Sequence, residues 1–209
     1  MKQLPLVFLI AIYALNANAQ QRGGIVKGHP GYKNKRHKSC PVFYITTGTG
    51  INNNTGLLGV NFDKPVAKSV SVAGGLGISS WGYKFFVGGS YYLKPCHRGW
   101  AFGGGLTYNT GIHDYQQNNV ETVYGTKETV QLELHPQANV FVAAYHYWSI
   151  GKRSNRLFAE IGWSQRVTTG YKFTQTYGSP ISKTSADVYN LISPGGPIIG
   201  AGFSFGSYR

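Results

Sequence analysis

VQLELHPQANVFVAAYHYWSI, residues 130–150, alternates residue by residue for longer than a soluble strand usually runs. The even positions include Val130, Leu132, Leu134, Ala138, Val140, Val142, Ala144 and Trp148, nearly all apolar. The odd positions begin Gln131, Glu133, His135, Gln137 and Asn139, all polar. Successive side chains of a β-strand point to opposite faces, so one face suits an apolar solvent and the other a wet or hydrogen-bonded interior. A strand crossing a bilayer takes roughly 9–11 residues, and this stretch is long enough to cross and continue. It reads as one strand of a transmembrane β-barrel.

Working outward, seven more segments alternate in the same way, at about residues 42–51, 56–63, 70–79, 83–93, 100–109, 157–166 and 197–205. In the third, Val70, Val72, Leu76 and Ile78 oppose Ser71, Ala73, Gly75, Gly77 and Ser79. The turns at 64–68, 94–99 and 151–156 are short and basic, whereas the connections near 80–82, 110–127 and 168–193 run short, long, long with nearly balanced charge. Short turns at one end and long loops at the other are how an even-stranded outer-membrane barrel is built. The expected fold is therefore all-β: an eight-stranded antiparallel up-and-down transmembrane β-barrel over residues 41–209, with its basic turns on the periplasmic rim.

Composition fits a closed sheet. Charged residues are only 13% and aromatics 14%, with 29 Gly and 15 Tyr, a balance unlike that of a helical enzyme or a disordered chain. The formal net charge is +13, so its location decides what it means. Met1-Lys2, the apolar run 4–15 and Ala17-Asn18-Ala19 together read as a secretory signal peptide over 1–19. No later stretch is long and apolar enough for a spanning helix. Residues 20–40 form a Gly-rich basic periplasmic tail in which Arg22, Lys27, Lys33, Lys35, Arg36 and Lys38 face no acid. That tail is either an electrostatic arm or a solvated leader. With the basic residues on turns and a tail, and no recognition helix, nucleic acid is not an expected partner.

The inward set includes Asp63, Lys84, Glu133, His135, Glu160 and Arg166. Eight strands leave an interior barely wide enough for its own side chains. These groups are expected to pair as a polar plug; the alternative is a narrow path for a small solute. Cys40 and Cys96, the only cysteines, fall at the periplasmic end and read first as a disulfide in an oxidising compartment, against two free thiols or pairing to a partner. Strand parity separates His146 from Ser149, and no Ser sits beside Glu133 and His135, so no catalytic triad is expected and the chain reads as a non-enzyme. The six His are scattered, and neither a metal site nor a cofactor is expected.

The signal peptide, the Gly-rich strands SVAGGLGIS and WAFGGGLTY and the closing IIGAGFSFGSYR resemble those of the small outer-membrane β-barrels. These are the OmpA-barrel and OmpX-like group and the outer-membrane β-barrel domain family that includes PorT-like proteins. The resemblance covers residues 42–209. One departure is that Arg209 follows Tyr208, which is out of register with Phe203 and Phe205, where this group commonly ends on an aromatic. The resemblance implies a Gram-negative outer-membrane location and an architecture without a fixed activity. The expected role is structural or accessory, with contacts to outer-membrane lipid and to other envelope proteins or peptidoglycan. A narrow porin-like transport component and a secreted soluble barrel of lipocalin type are the alternatives.

Overall fold

The computed structural model describes residues 40–96, 98–150 and 155–207. The proposed signal peptide, the basic tail with Arg22, Lys27, Lys33, Lys35, Arg36 and Lys38, and the turn residues 151–154 lie outside the described residues.

Eight strands close into an antiparallel barrel: β1 (Phe43–Ile51), β2 (Leu58–Pro65), β3 (Val70–Ser79), β4 (Gly82–Lys94), β5 (Arg98–Asn109), β8 (Gln137–Ser149), β9 (Arg156–Arg166) and β11 (Gly196–Ser207). Sequential neighbours pair, and β1 closes on β11 from Phe43↔Ser207 to Ile51↔Ile199. Alternation along each strand sorts the faces. Ser71, Lys84, Tyr92, Phe141, Tyr145 and Ser204 are buried inside, while Val72, Phe85, Tyr91, Val142 and Phe205 face outward and are exposed.

The remaining elements overturn two expectations. Residues 110–127 and 168–193 are not loops. They hold β6 (Ile112–Glu121), β10 (Phe173–Tyr177) and the helix α1 (Lys183–Ile192), which join β7 (Lys127–Leu134) as a cap over one end of the barrel. Strands β10, β7 and β6 form a separate three-stranded sheet. The stretch 130–150 is accordingly two strands, broken at His135-Pro136, where Pro136 has no N–H to continue a ladder. The alternation runs through the break in phase, but its meaning reverses. In β8 the even residues Val140 and Val142 face outward, whereas in β7 Val130, Leu132 and Leu134 are buried in the cap's own core.

That core also takes Trp81, Val120 and Tyr189. Trp81, in the β3–β4 turn, is fully buried, and its indole Nε1 donates to the His135 carbonyl at 3.0 Å. The cap is thus tied to the barrel at the point where β7 becomes β8. Helix α1 starts at Ser182, whose hydroxyl accepts from the Ser185 N–H at 3.2 Å, and it turns Tyr189 onto Phe173 with ring centroids 5.4 Å apart. Ser182→Ala removes the N-cap and is expected to lower the cap's local stability by about 1 kcal/mol. Amide exchange should speed up in α1 and leave β3, β4 and β5 unchanged.

Candidate functional site

The barrel interior is filled from both ends. At the cap end, the connection 52–57 between β1 and β2 turns into the barrel, burying Asn53, Asn54 and Thr55. Lys84 Nζ donates to the carbonyls of Asn52 at 3.1 Å and Asn53 at 2.6 Å. Asn54 Nδ2 donates to Tyr145 Oη at 2.6 Å, and the Asn54 backbone lies beside the Glu160 carboxylate. This re-entry needs glycine: a Cβ on Gly77 would collide with the Thr55 and Leu58 carbonyls, and one on Gly200 would lie 2.7 Å from Glu160 Oε1. Lys84 and Glu160 also attract each other electrostatically.

At the short-turn end a second cluster closes the interior. Arg156 Nη2 meets Asp63 Oδ2 at 2.8 Å with both side chains buried, and Tyr92 Oη donates to the same oxygen at 2.9 Å. The guanidinium lies 3.6 Å from the Tyr44 ring centroid and 4.0 Å from that of Tyr147, a cation–π cage out of water. Tyr44 Oη in turn donates to the Cys96 carbonyl at 3.3 Å. Cys96 is bridged to Cys40, with Cα atoms 4.9 Å apart. Between the two clusters Phe86, Phe141, Tyr145 and Phe158 pack around a cavity of about 40 Å³, room for a water or two. Among the described residues the interior carries two cations, Lys84 and Arg156, and two acids, Asp63 and Glu160, so their charges balance.

Of the residues assigned to the interior from sequence, Asp63, Lys84 and Glu160 are there. Glu133 and His135 are not: with β7 belonging to the cap, Glu133 pairs with His113 at 3.0 Å on the cap surface, and His135 Nε2 meets Thr174 Oγ1 at 2.7 Å. Arg166 has the inward parity but sits at the cap end of β9, donating to the Gly170 carbonyl at 2.9 Å. Arg156, placed in a turn by the sequence reading, is instead the buried base that answers Asp63. Its signal was parity, since it is two residues before Phe158 and four before Glu160.

The two ends differ in charge. Five of the chain's seven acids, Asp114, Glu121, Glu128, Glu133 and Asp187, lie in the cap, and the other two are inside the barrel. There Glu128 is held below the usual carboxylate range by hydrogen bonds from Ser179 and Thr126. Lys172 is lowered by burial and by Arg166. At the short-turn end the described residues expose Lys64, Lys68, Lys94 and Arg98 and no acid.

No family model matches the chain, and no curated protein matches it. Among solved structures, the N-terminal β-barrel domain of Pseudomonas aeruginosa OprF is similar at 12% identity, over 78% of this chain and 93% of that one, with a TM-score of 0.38. So distant a likeness carries no weight beside the strand pairing, which defines the closed eight-stranded barrel.

Proposed function

We propose that the protein is an integral outer-membrane β-barrel with a structural or accessory role, its cap outside and its basic short-turn rim in the periplasm. The observation that carries this is the outer wall. Leu76, Val87, Val142 and Ile161 are 60–63% exposed, and most outward positions around them are apolar, with Thr47 and Thr49 of β1 and His146 of β8 as polar exceptions. Water does not tolerate a continuous apolar belt of this extent on a monomer, whereas lipid does. Trp100, Tyr91 and Trp148 towards one end of the wall and Tyr83, Tyr108 and Trp163 towards the other suit the two membrane interfaces. A lipocalin-type barrel has its faces the other way round, with the apolar lining inside.

The role is docking and not passage. Lys84, Glu160 and the re-entrant loop stop one end, and the Arg156 cluster stops the other. The surfaces left for contact are the cap, where Tyr171, Leu191, Tyr124 and Tyr177 stand exposed, and the basic rim, which suits an acidic envelope partner, peptidoglycan or anionic lipid. Purified protein in planar bilayers should give no discrete conductance steps, and envelope pull-downs should bring a stoichiometric companion. Steps that change on Lys84→Gln would replace this reading with a narrow pore.

A further inference from the structure

The barrel wall is notched at its basic rim. β1 pairs β2 only as far as Tyr44↔Asp63, yet β2 continues against β3 to Pro65↔Ser71, and β1 continues against β11 to Phe43↔Ser207. The β1-facing edge of Lys64 and Pro65 is therefore left without a ladder partner. Pro65, lacking an N–H, suits such a position. The result is a groove of about 900 Å³. Val42, Phe43, Phe62 and Val66 make its floor, and Lys64 and Lys68 stand on its lip. The floor is continuous with the apolar outer wall, because Phe43 and Phe62 are outward residues of β1 and β2.

We infer that this notch seats an anionic glycerophospholipid of the periplasmic leaflet, its phosphate between Lys64 and Lys68 and its first acyl methylenes on Phe43 and Phe62. The inference rests on the membrane placement proposed above. Charge complementarity selects the occupant. Asp63, the one acid among the described residues lining the groove, has its carboxylate engaged by Arg156 and Tyr92, so no acid among the described residues opposes the two lysines. Residues 20–39, which precede Cys40 in the sequence, hold no acid and bring the lysines no counter-charge. An anionic headgroup satisfies both lysines while the apolar floor stays out of water.

The test uses the full chain in two stages. Flotation with dioleoylphosphatidylcholine vesicles comes first: failure to float defeats the membrane placement and this inference with it. Protein that floats is then examined by native mass spectrometry from detergent with equal dioleoylphosphatidylglycerol and dioleoylphosphatidylcholine, reading the retained lipid. The wild type should keep one phosphatidylglycerol. Lys64→Gln/Lys68→Gln should lower that retention roughly five-fold per lysine, or roughly 25-fold together. Lys94→Gln/Arg98→Gln, which removes the same charge two strands round the rim, should keep it. Equal retention of the two lipids, an unchanged Lys64/Lys68 variant or an equal loss in the Lys94/Arg98 variant would overturn the notch and leave the membrane placement standing.

Discussion

Asp63→Leu is expected to lower the unfolding free energy by about 3–5 kcal/mol, because it removes the buried carboxylate that meets the Arg156 guanidinium at 2.8 Å. Both partners of the pair are almost fully buried, at 3% and 8% side-chain exposure. Removing the carboxylate withdraws the charge that faces a guanidinium held among tyrosine rings. Arg156→Met should cost a comparable amount for the opposite reason, leaving the Asp63 carboxylate with the Tyr92 hydroxyl. The double variant Asp63→Leu/Arg156→Met should recover much of the loss, since a buried pair replaced by apolar groups of similar volume is often neutral or better. Urea unfolding of the refolded protein, followed by tryptophan emission, measures all three. Additive losses in the double variant would mean that the two residues act independently and would contradict the geometry.

Cys40→Ser/Cys96→Ser is the second large effect. The bridge closes a loop with a sequence separation of 56 residues, and a loop of that length restricts the unfolded chain by about 4 kcal/mol in the chain-entropy account. The loss should appear as an earlier unfolding midpoint in both the double variant and the reduced wild type. The two should not be additive. The bridge also fixes the Cys96 carbonyl that receives the Tyr44 hydroxyl, so its loss should loosen the Arg156 cage. Thiol titration of the denatured, unreduced protein should find no free thiol.

Much of the barrel was legible in the sequence because a two-residue period in Gly-rich, aromatic-rich strands has one physical meaning: two unlike solvents on two faces. The eight barrel strands fall close to where the alternation places them. The cap was not legible, and the reasons are local. β6 carries few core residues, and its register slips between Ile112 and Tyr115 and again between Gln117 and Val120. Asp114 and Asn119 take left-handed backbone conformations within these irregular stretches, which Asp and Asn tolerate better than other side chains. No strict alternation survives such slips. In β7 the alternation is clean, but nothing in it tells whether an apolar face meets lipid or a small protein core. That ambiguity put Glu133 and His135 inside the barrel. Arg156 was hidden differently, because the basic residues just before it made it look like part of a solvated turn.

The interior network follows from diameter and parity once the strand assignments are right. Asp63, Lys84 and Glu160 came from that argument alone. Their partners did not. The re-entry of 52–57, which supplies the carbonyls for Lys84 and brings the Asn54 backbone beside Glu160, depends on the empty space at Gly77 and Gly200, and in the sequence those glycines are indistinguishable from the others in the strands.

The most direct test of the proposed membrane placement of the barrel is tryptophan quenching by vesicles whose lipids are brominated near the head-group end of the acyl chains. Trp100, Trp148 and Trp163 stand half exposed on the outer wall, and Trp81 is buried in the cap. Strong quenching of most of the emission, with the remainder removed by Trp81→Phe, is the predicted result. Folded protein whose emission is the same in brominated and ordinary vesicles would contradict it.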